Sequence, residues 1–207
     1  MGLSLESMAI EMPVVHGHPN RVGFRGVLTL VDAVSDKAPA GARGHRVLLT
    51  KKAAEAAIPS LLGMGLDYTP RLDAHDTRRK IGVITRAEIV GREIAIGGFL
   101  YGRDFPEMVE EIGKGVGRQP SAVSGHYRRE EGDPLHYAKN GRAGGSGRAD
   151  KSVRATQIEL GMSYEIADAL VEDIQAKVWV LNRVTFTGAA VLRRDKAAYG
   201  ATWIELG

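Results

Sequence analysis

Lys80-Ile81-Gly82-Val83-Ile84-Thr85-Arg86-Ala87-Glu88-Ile89-Val90, then Gly91, then Arg92-Glu93-Ile94-Ala95-Ile96-Gly97-Gly98-Phe99-Leu100-Tyr101, is the stretch on which the fold turns. Ile81, Val83, Thr85, Ala87 and Ile89 recur at every second position of the first arm, and Ile94, Ile96, Gly98 and Leu100 do so in the second. A period of two is that of a strand buried on one face. With Val90-Gly91 supplying the turn, the stretch predicts an antiparallel hairpin.

Downstream, Asp104, Pro106 and Glu107 mark a helix start, and Phe105, Met108, Val109 and Ile112 make an apolar stripe at helical spacing. Gly113, Gly115 and Gly117 stop that helix. Gly113-Lys114-Gly115-Val116-Gly117 superficially resembles a phosphate loop, but it follows a helix and lacks the Gly-Lys-Ser/Thr ending, so nucleotide binding is not expected. Upstream, Leu66 to Pro70 leads into Arg71-Leu72-Asp73-Ala74-His75-Asp76, which puts His75 at the mouth of the strand that begins at Lys80. Further back, His45 to Thr50 reads as a short strand, and Thr50 caps a helix through Ile58 that Pro59 interrupts and Gly63 ends. Val22 to Asp32 is β-branched and apolar enough for a first strand, with Gly26 marking a bulge. Residues 1–20 read as an arm with one short strand. The arm carries His16 and His18, which lack a third ligand, so no metal site is expected there.

Towards the C-terminus, residues 127–152 are polar and glycine-rich with almost no apolar periodicity, and read as a disordered insertion loop. Thr156 to Ile166 resumes a strand pattern. Ile158, Leu160, Met162 and Tyr164 fall on one face, and Glu159, Gly161, Ser163 and Glu165 on the other. Ala167 to Gln175 permits a short helix or an irregular crossover. Lys177 to Thr187 is a strong strand continued by Gly188 to Leu192, Arg193 to Tyr199 reads as one or two helical turns, and Thr202 to Leu206 as a last short strand. The sum is an α+β chain with a mostly antiparallel sheet and a few helices. It is organised as one domain over 21–207, behind the arm.

Composition narrows the function. Absence of cysteine excludes disulfides, thiolate zinc sites and a cysteine nucleophile. Aromatics make up only 6% of residues, which weakens any reading based on stacking nucleobases. The formal charge is +3, and the segment His126 to Arg154, with seven basic and four acidic residues, accounts for all of it. At that density a solvated loop is the better reading than a nucleic-acid site. No apolar run approaches the ~20 residues that span a bilayer, and the first residues lack a basic region followed by an apolar core, so neither a membrane span nor export is expected.

Ser163 and His75 are the candidate nucleophile and base. A serine hydroxyl is a weak nucleophile until a base within hydrogen-bond reach takes its proton, and the oxyanion that then forms needs fixed donors. The plain alternative is a strand serine and a solvated turn histidine, and His45, His126 and His136 compete for the base.

The order GVLTLVD, DAHD, KIGVITRAEI with GREIAIGGFLYGRDFPEMVEEI, LGMSYEI and VTFTGAAVLRRDKAAYGAT resembles that of the tailed-bacteriophage prohead (capsid maturation) proteases, which are related in fold to herpesvirus assemblin. The resemblance covers most of the chain. It implies a β-barrel-like, assemblin-like domain flanked by helices, in which His75 serves Ser163 in a serine endopeptidase that needs no cofactor. The family's third catalytic position lies on the strand after the serine, as a histidine or a glutamate. Here that strand reads Leu181-Asn182-Arg183-Val184-Thr185-Phe186-Thr187 and offers neither. Asp73, Asp76 and Glu165 are the substitutes, and the choice among them stays open. Arg193 and Arg194 occupy the relative place of an arginine pair near the oxyanion site of assemblins. The implied partners are the phage major capsid protein and the scaffold protein, and the chain itself through homo-oligomers or autocleavage. The implied location is the bacterial host cytoplasm, inside the assembling procapsid. The missing third residue leaves a second reading, a catalytically inactive assembly or scaffolding protein on the same fold.

Overall fold

The computed structural model describes residues 7–13, 15–115 and 159–207. The insertion expected at 127–152, together with Gly117, His126, His136 and Ile158, lies outside these residues. In chain order the strands are β1 (Ser7–Ala9), β2 (Val22–Leu30), β3 (Arg46–Leu49), β4 (Gly65–Asp67), β5 (Lys80–Val90), β6 (Glu93–Leu100), β7 (Leu160–Val171), β8 (Val178–Arg193) and β9 (Trp203–Leu206). The helices are α1 (Lys51–Ala57) and α2 (Pro106–Lys114). The protein is α+β, with a barrel-like sheet and two short helices among the described residues.

The predicted hairpin is β5 and β6, joined at Gly91, whose φ of 62° is the left-handed conformation that suits glycine. Its alternation is interrupted twice. The register shifts at Ile81, between the pairings of Lys80 with Asp67 and Gly82 with Leu66, and a bulge falls between Ile84 and Arg86, so the buried side chains are Ile81, Ile84, Ala87 and Ile89. The sheet runs β3-β8-β4-β5-β6-β2-β9, with β1 added to β5 and β7 to β8. Every pairing is antiparallel except those of β3 and β4 with β8, which are parallel.

β7 carries the curl that makes the sheet a half-barrel. Its Met162 N–H donates to Thr202 Oγ1 at 3.0 Å, just before β9. A Cβ on Gly26 of β2 would lie 3.0 Å from Met162 Sδ and 2.4 Å from the Trp203 carbonyl oxygen. Gly26 is thus a point of close approach, and the bulge expected there falls between Val27 and Thr29 instead. Leu28, Leu66, Ile84, Ile94, Leu100, Met162 and Phe186 fill the concave side, fully buried. Each such side chain contributes roughly 1.5–3 kcal/mol by leaving water.

β8 runs through the centre. One edge pairs with β7 along most of its length; the other meets β3 at Val178 to Leu181 and β4 at Ala189 and Ala190. The interval between β3 and β4 is closed by α1 and the 3-10 turn Ile58–Leu61, where Phe186 N–H donates to Ser60 Oγ at 2.8 Å. Thr50 caps α1 as expected, its hydroxyl accepting from Ala53 N–H. Residues after Ile166, read as a helix or crossover, continue β7 to Val171 instead, through irregular pairings and a left-handed Asp168. No helix among the described residues is long and apolar enough to cross a membrane.

Candidate active site

Register assembles the site. On β8, Ala190 lies opposite Ser163 of β7 on one side and opposite Asp67 of β4 on the other, while Asp67 in turn pairs with Lys80 of β5. Side chains directly opposite one another leave the sheet on the same face, so Lys80, Asp67, Ala190 and Ser163 form one row across four strands. The row stands on the face away from the Met162 and Phe186 core. Ala190 is its low point, and His75 spans it. The His75 Nε2 is 3.0 Å from Ser163 Oγ, and its Nδ1 is 3.6 Å from Asp67 Oδ1.

His75 reaches that position on the β4–β5 connection, which is fastened at three places. Arg193 N–H donates to the Leu72 carbonyl at 2.7 Å, Asp76 N–H donates to Asp67 Oδ1 at 3.2 Å, and Thr69 Oγ1 bonds Asp73 Oδ1 at 2.9 Å. Leu72 is buried and holds a φ of 54°. A left-handed leucine costs roughly 1–2 kcal/mol, which these ties and its burial offset.

Two carboxylates face the outer ring nitrogen. Glu165 Oε1 stands 3.4 Å from His75 Nδ1, beside the 3.6 Å contact to Asp67. Nδ1 itself has no surface open to solvent and no hydrogen bond, so both contacts are ion-pair distances just beyond bonding geometry. The side chain of Asp67 is 0% exposed and that of Glu165 29%. Burial alone pushes the Asp67 carboxyl up, but its contacts with His75 and Lys80 more than offset this and hold it below its ordinary value. Lys80 Nζ donates to Asp67 Oδ2 at 2.9 Å. Glu165 has room only because its partner on β8 is Gly188, where a Cβ would come within 2.9 Å of Glu165 Oε2.

Of the residues singled out from the sequence, Ser163, His75 and Glu165 are brought together. Asp73 is turned to Thr69, and Asp76 to Arg78 and Arg79. The Arg78 backbone N–H and then the guanidiniums hold the Asp76 carboxyl below its ordinary value. Arg193 pairs with Asp195 at 3.1 Å and Arg194 with Glu159 at 3.1 Å, so acidic neighbours engage both guanidiniums. The Arg194 backbone nevertheless packs beside the serine strand, since a Cβ on Gly161 would lie 3.1 Å from Arg194 Cα. His45 is remote from the row; its Nδ1 is 2.8 Å from the Ala176 carbonyl oxygen and its ring stacks on Trp179.

Asp67 and Lys80 were missed. The available signal was an aspartate flanked by Leu66 and Tyr68, an acid inside an apolar run that needs a partner when buried. Asp67, His75 and Glu165 also form a group that can hold a metal, each offering one ligand atom and these atoms lying within 4.8 Å of one another.

The arrangement is that of an α+β protein whose sheet carries a hydrogen-bonded serine–histidine pair backed by carboxylates. Comparisons with protein-family models, with curated proteins and with solved structures find no match for the chain.

Proposed function

We propose that the protein is a serine endopeptidase of the prohead-protease kind, with an assemblin-like barrel, that cleaves scaffold or capsid proteins during phage prohead maturation. The observation that carries the chemistry is the 3.0 Å contact between His75 Nε2 and Ser163 Oγ, with carboxylates at the other ring nitrogen. Ser163 Oγ attacks the scissile carbonyl carbon while His75 Nε2 takes its proton. The imidazolium gives that proton to the leaving amine as the C–N bond breaks, and water then releases the acyl group from Ser163 by the same steps in reverse. Asp67, buried and tied to Lys80, orients the ring and faces its Nδ1 proton, which is the role that the strand after the serine leaves vacant.

The choice of substrate rests on the ordered sequence resemblance. It names the major capsid protein and scaffold as partners, and the assembling procapsid in the host cytoplasm as the place.

Two measurements test this. A fluorophosphonate probe is expected to label the wild-type chain and not Ser163→Ala or His75→Ala. Co-expressed capsid and scaffold proteins are expected to be processed with the wild type only. Equal processing by Ser163→Ala would leave the inactive assembly protein as the reading.

A further inference from the structure

We propose that Asp67 Oδ1, His75 Nδ1 and Glu165 Oε1 bind a zinc ion, and that the bound ion switches the Ser163–His75 pair off. The separations argue for it. His75 Nδ1 lies 3.4 Å from Glu165 Oε1 and 3.6 Å from Asp67 Oδ1. Ligand atoms about 2.1 Å from a tetrahedral zinc lie about 3.4 Å from each other. Two of the three edges of a coordination face are thus already in place. The third, between the two carboxylates, closes by a small movement of Glu165, whose side chain is 29% exposed, and the three residues already offer ligand atoms within 4.8 Å of one another.

The imidazole makes this more than a pair of neighbouring acids. Nδ1 is shut off from solvent, has no hydrogen bond, and has both carboxylates as near neighbours. Asp67 is also held as a ligand is held. Lys80 Nζ donates to its Oδ2 at 2.9 Å and the Asp76 N–H to its Oδ1 at 3.2 Å, outer partners of the kind that fix a metal-ligating carboxylate, and Oδ1 keeps a second lone pair for the ion. Two carboxylates against one ammonium leave a net negative charge for a dication. An imidazole donor and near-tetrahedral spacing suit zinc, whereas magnesium and calcium require six or more oxygens. Water completes the coordination, as at other three-ligand zinc sites.

The consequence for the serine follows from the ring's two nitrogens. A metal on Nδ1 takes that lone pair, so the single ring proton sits on Nε2 and points at Ser163 Oγ. Nε2 then has no lone pair with which to accept the serine proton. This inhibition rests on the hydrolase reading; the binding does not.

The test is a titration of the metal-free full-length chain with zinc chloride by calorimetry, and with cobalt(II) by visible absorbance. It is run on wild type, Ser163→Ala, His75→Ala and Glu165→Gln, the last two altering half-buried side chains that the core does not depend on. Wild type and Ser163→Ala are expected to share a site with the intense absorbance of tetrahedral cobalt. His75→Ala and Glu165→Gln are each expected to weaken it by at least about tenfold, since even outer-shell changes cost that much. No binding by the wild type, or equal binding by both variants, overturns the proposal. Fluorophosphonate labelling with and without zinc separates the two limbs. Labelling that zinc suppresses in wild type and not in Glu165→Gln supports the switch, and labelling unchanged by saturating zinc overturns it. Absence of labelling in the metal-free chain overturns the hydrolase reading, and zinc binding is then decided by the titration.

Discussion

Two carboxylates face His75 Nδ1, and their surroundings divide the work between them. Asp67 has no exposed surface and is fixed by Lys80 and the Asp76 N–H, while Glu165 stands at the rim over Gly188. On the proposed chemistry Asp67→Asn removes the charge that supports the imidazolium and presents an amide that favours the wrong tautomer. The rate of fluorophosphonate labelling or peptide hydrolysis is expected to fall on the order of 10⁴-fold, as for the buried aspartate of serine-protease triads. Glu165→Gln is expected to cost about tenfold or less, because a carboxylate partly open to water contributes less than a fully buried one. A larger loss in Glu165→Gln than in Asp67→Asn reverses the two roles. Ser163 and His75 were legible as residue types, and the alternation of Leu160 to Glu165 set Ser163 and Glu165 on one face. Asp67 was not legible as a member of the site. Its part depends on standing opposite Ala190, 123 positions away in the chain, and no local pattern encodes a register between strands so distant.

The elements that could be read were those whose signal is local. The β5–β6 hairpin, the Thr50 cap of α1 and the long apolar β8 each announce themselves within a dozen residues or so. β4 escaped because it has three residues, one of them an aspartate, and owes its extended form to pairing with β5 and β8. The tail of β7 was misread because Ala167-Asp168-Ala169-Leu170 has fair helical propensity, which pairing with β8 overrides. Tertiary pairing also explains the 3-10 turn after α1, whose Ser60 serves the open edge of β8. Ser60→Ala leaves the buried Phe186 N–H without its acceptor and is expected to lower stability by about 1–3 kcal/mol. Urea unfolding of the purified variant measures this, and an unchanged midpoint would mean that another acceptor serves that edge.

Over the whole molecule the curl is held where β2, β7 and β9 converge. Gly26→Ala drives a Cβ to 2.4 Å from the Trp203 carbonyl oxygen, a backbone atom that moves only with β9. The expected loss is about 1–3 kcal/mol of stability, read from the thermal midpoint, as for other overpacked sites. The same fold half-buries Tyr164, next to Ser163, and buries Tyr199. Burial pushes the Tyr164 hydroxyl up to about 12, and Tyr199 is also raised, by burial and then by the neighbouring Tyr164. A phenol whose folded pKa is raised favours the folded state fully below the unfolded value near 10, and that contribution is lost as pH rises from there towards 12. Wild-type stability is expected to fall across that window, and less steeply in Tyr164→Phe, which keeps the edge-on ring contact with Phe186. Equal slopes in the two proteins, measured by denaturant unfolding at a series of alkaline pH values, would show that Tyr164 ionises without unfolding.

β8 also sets a schedule. It pairs with β3 across about 130 residues, and it supplies Ala190 between Asp67 and Ser163. While a ribosome is still making the chain, everything up to Lys114 can emerge and its hairpin close, yet the acid, the base and the serine have no common support until β8 has left the exit tunnel. Contacts this distant in sequence are slow to form. On the proposed function, the chain stays harmless to itself while nascent, and to its neighbours, until translation of β8 is finished.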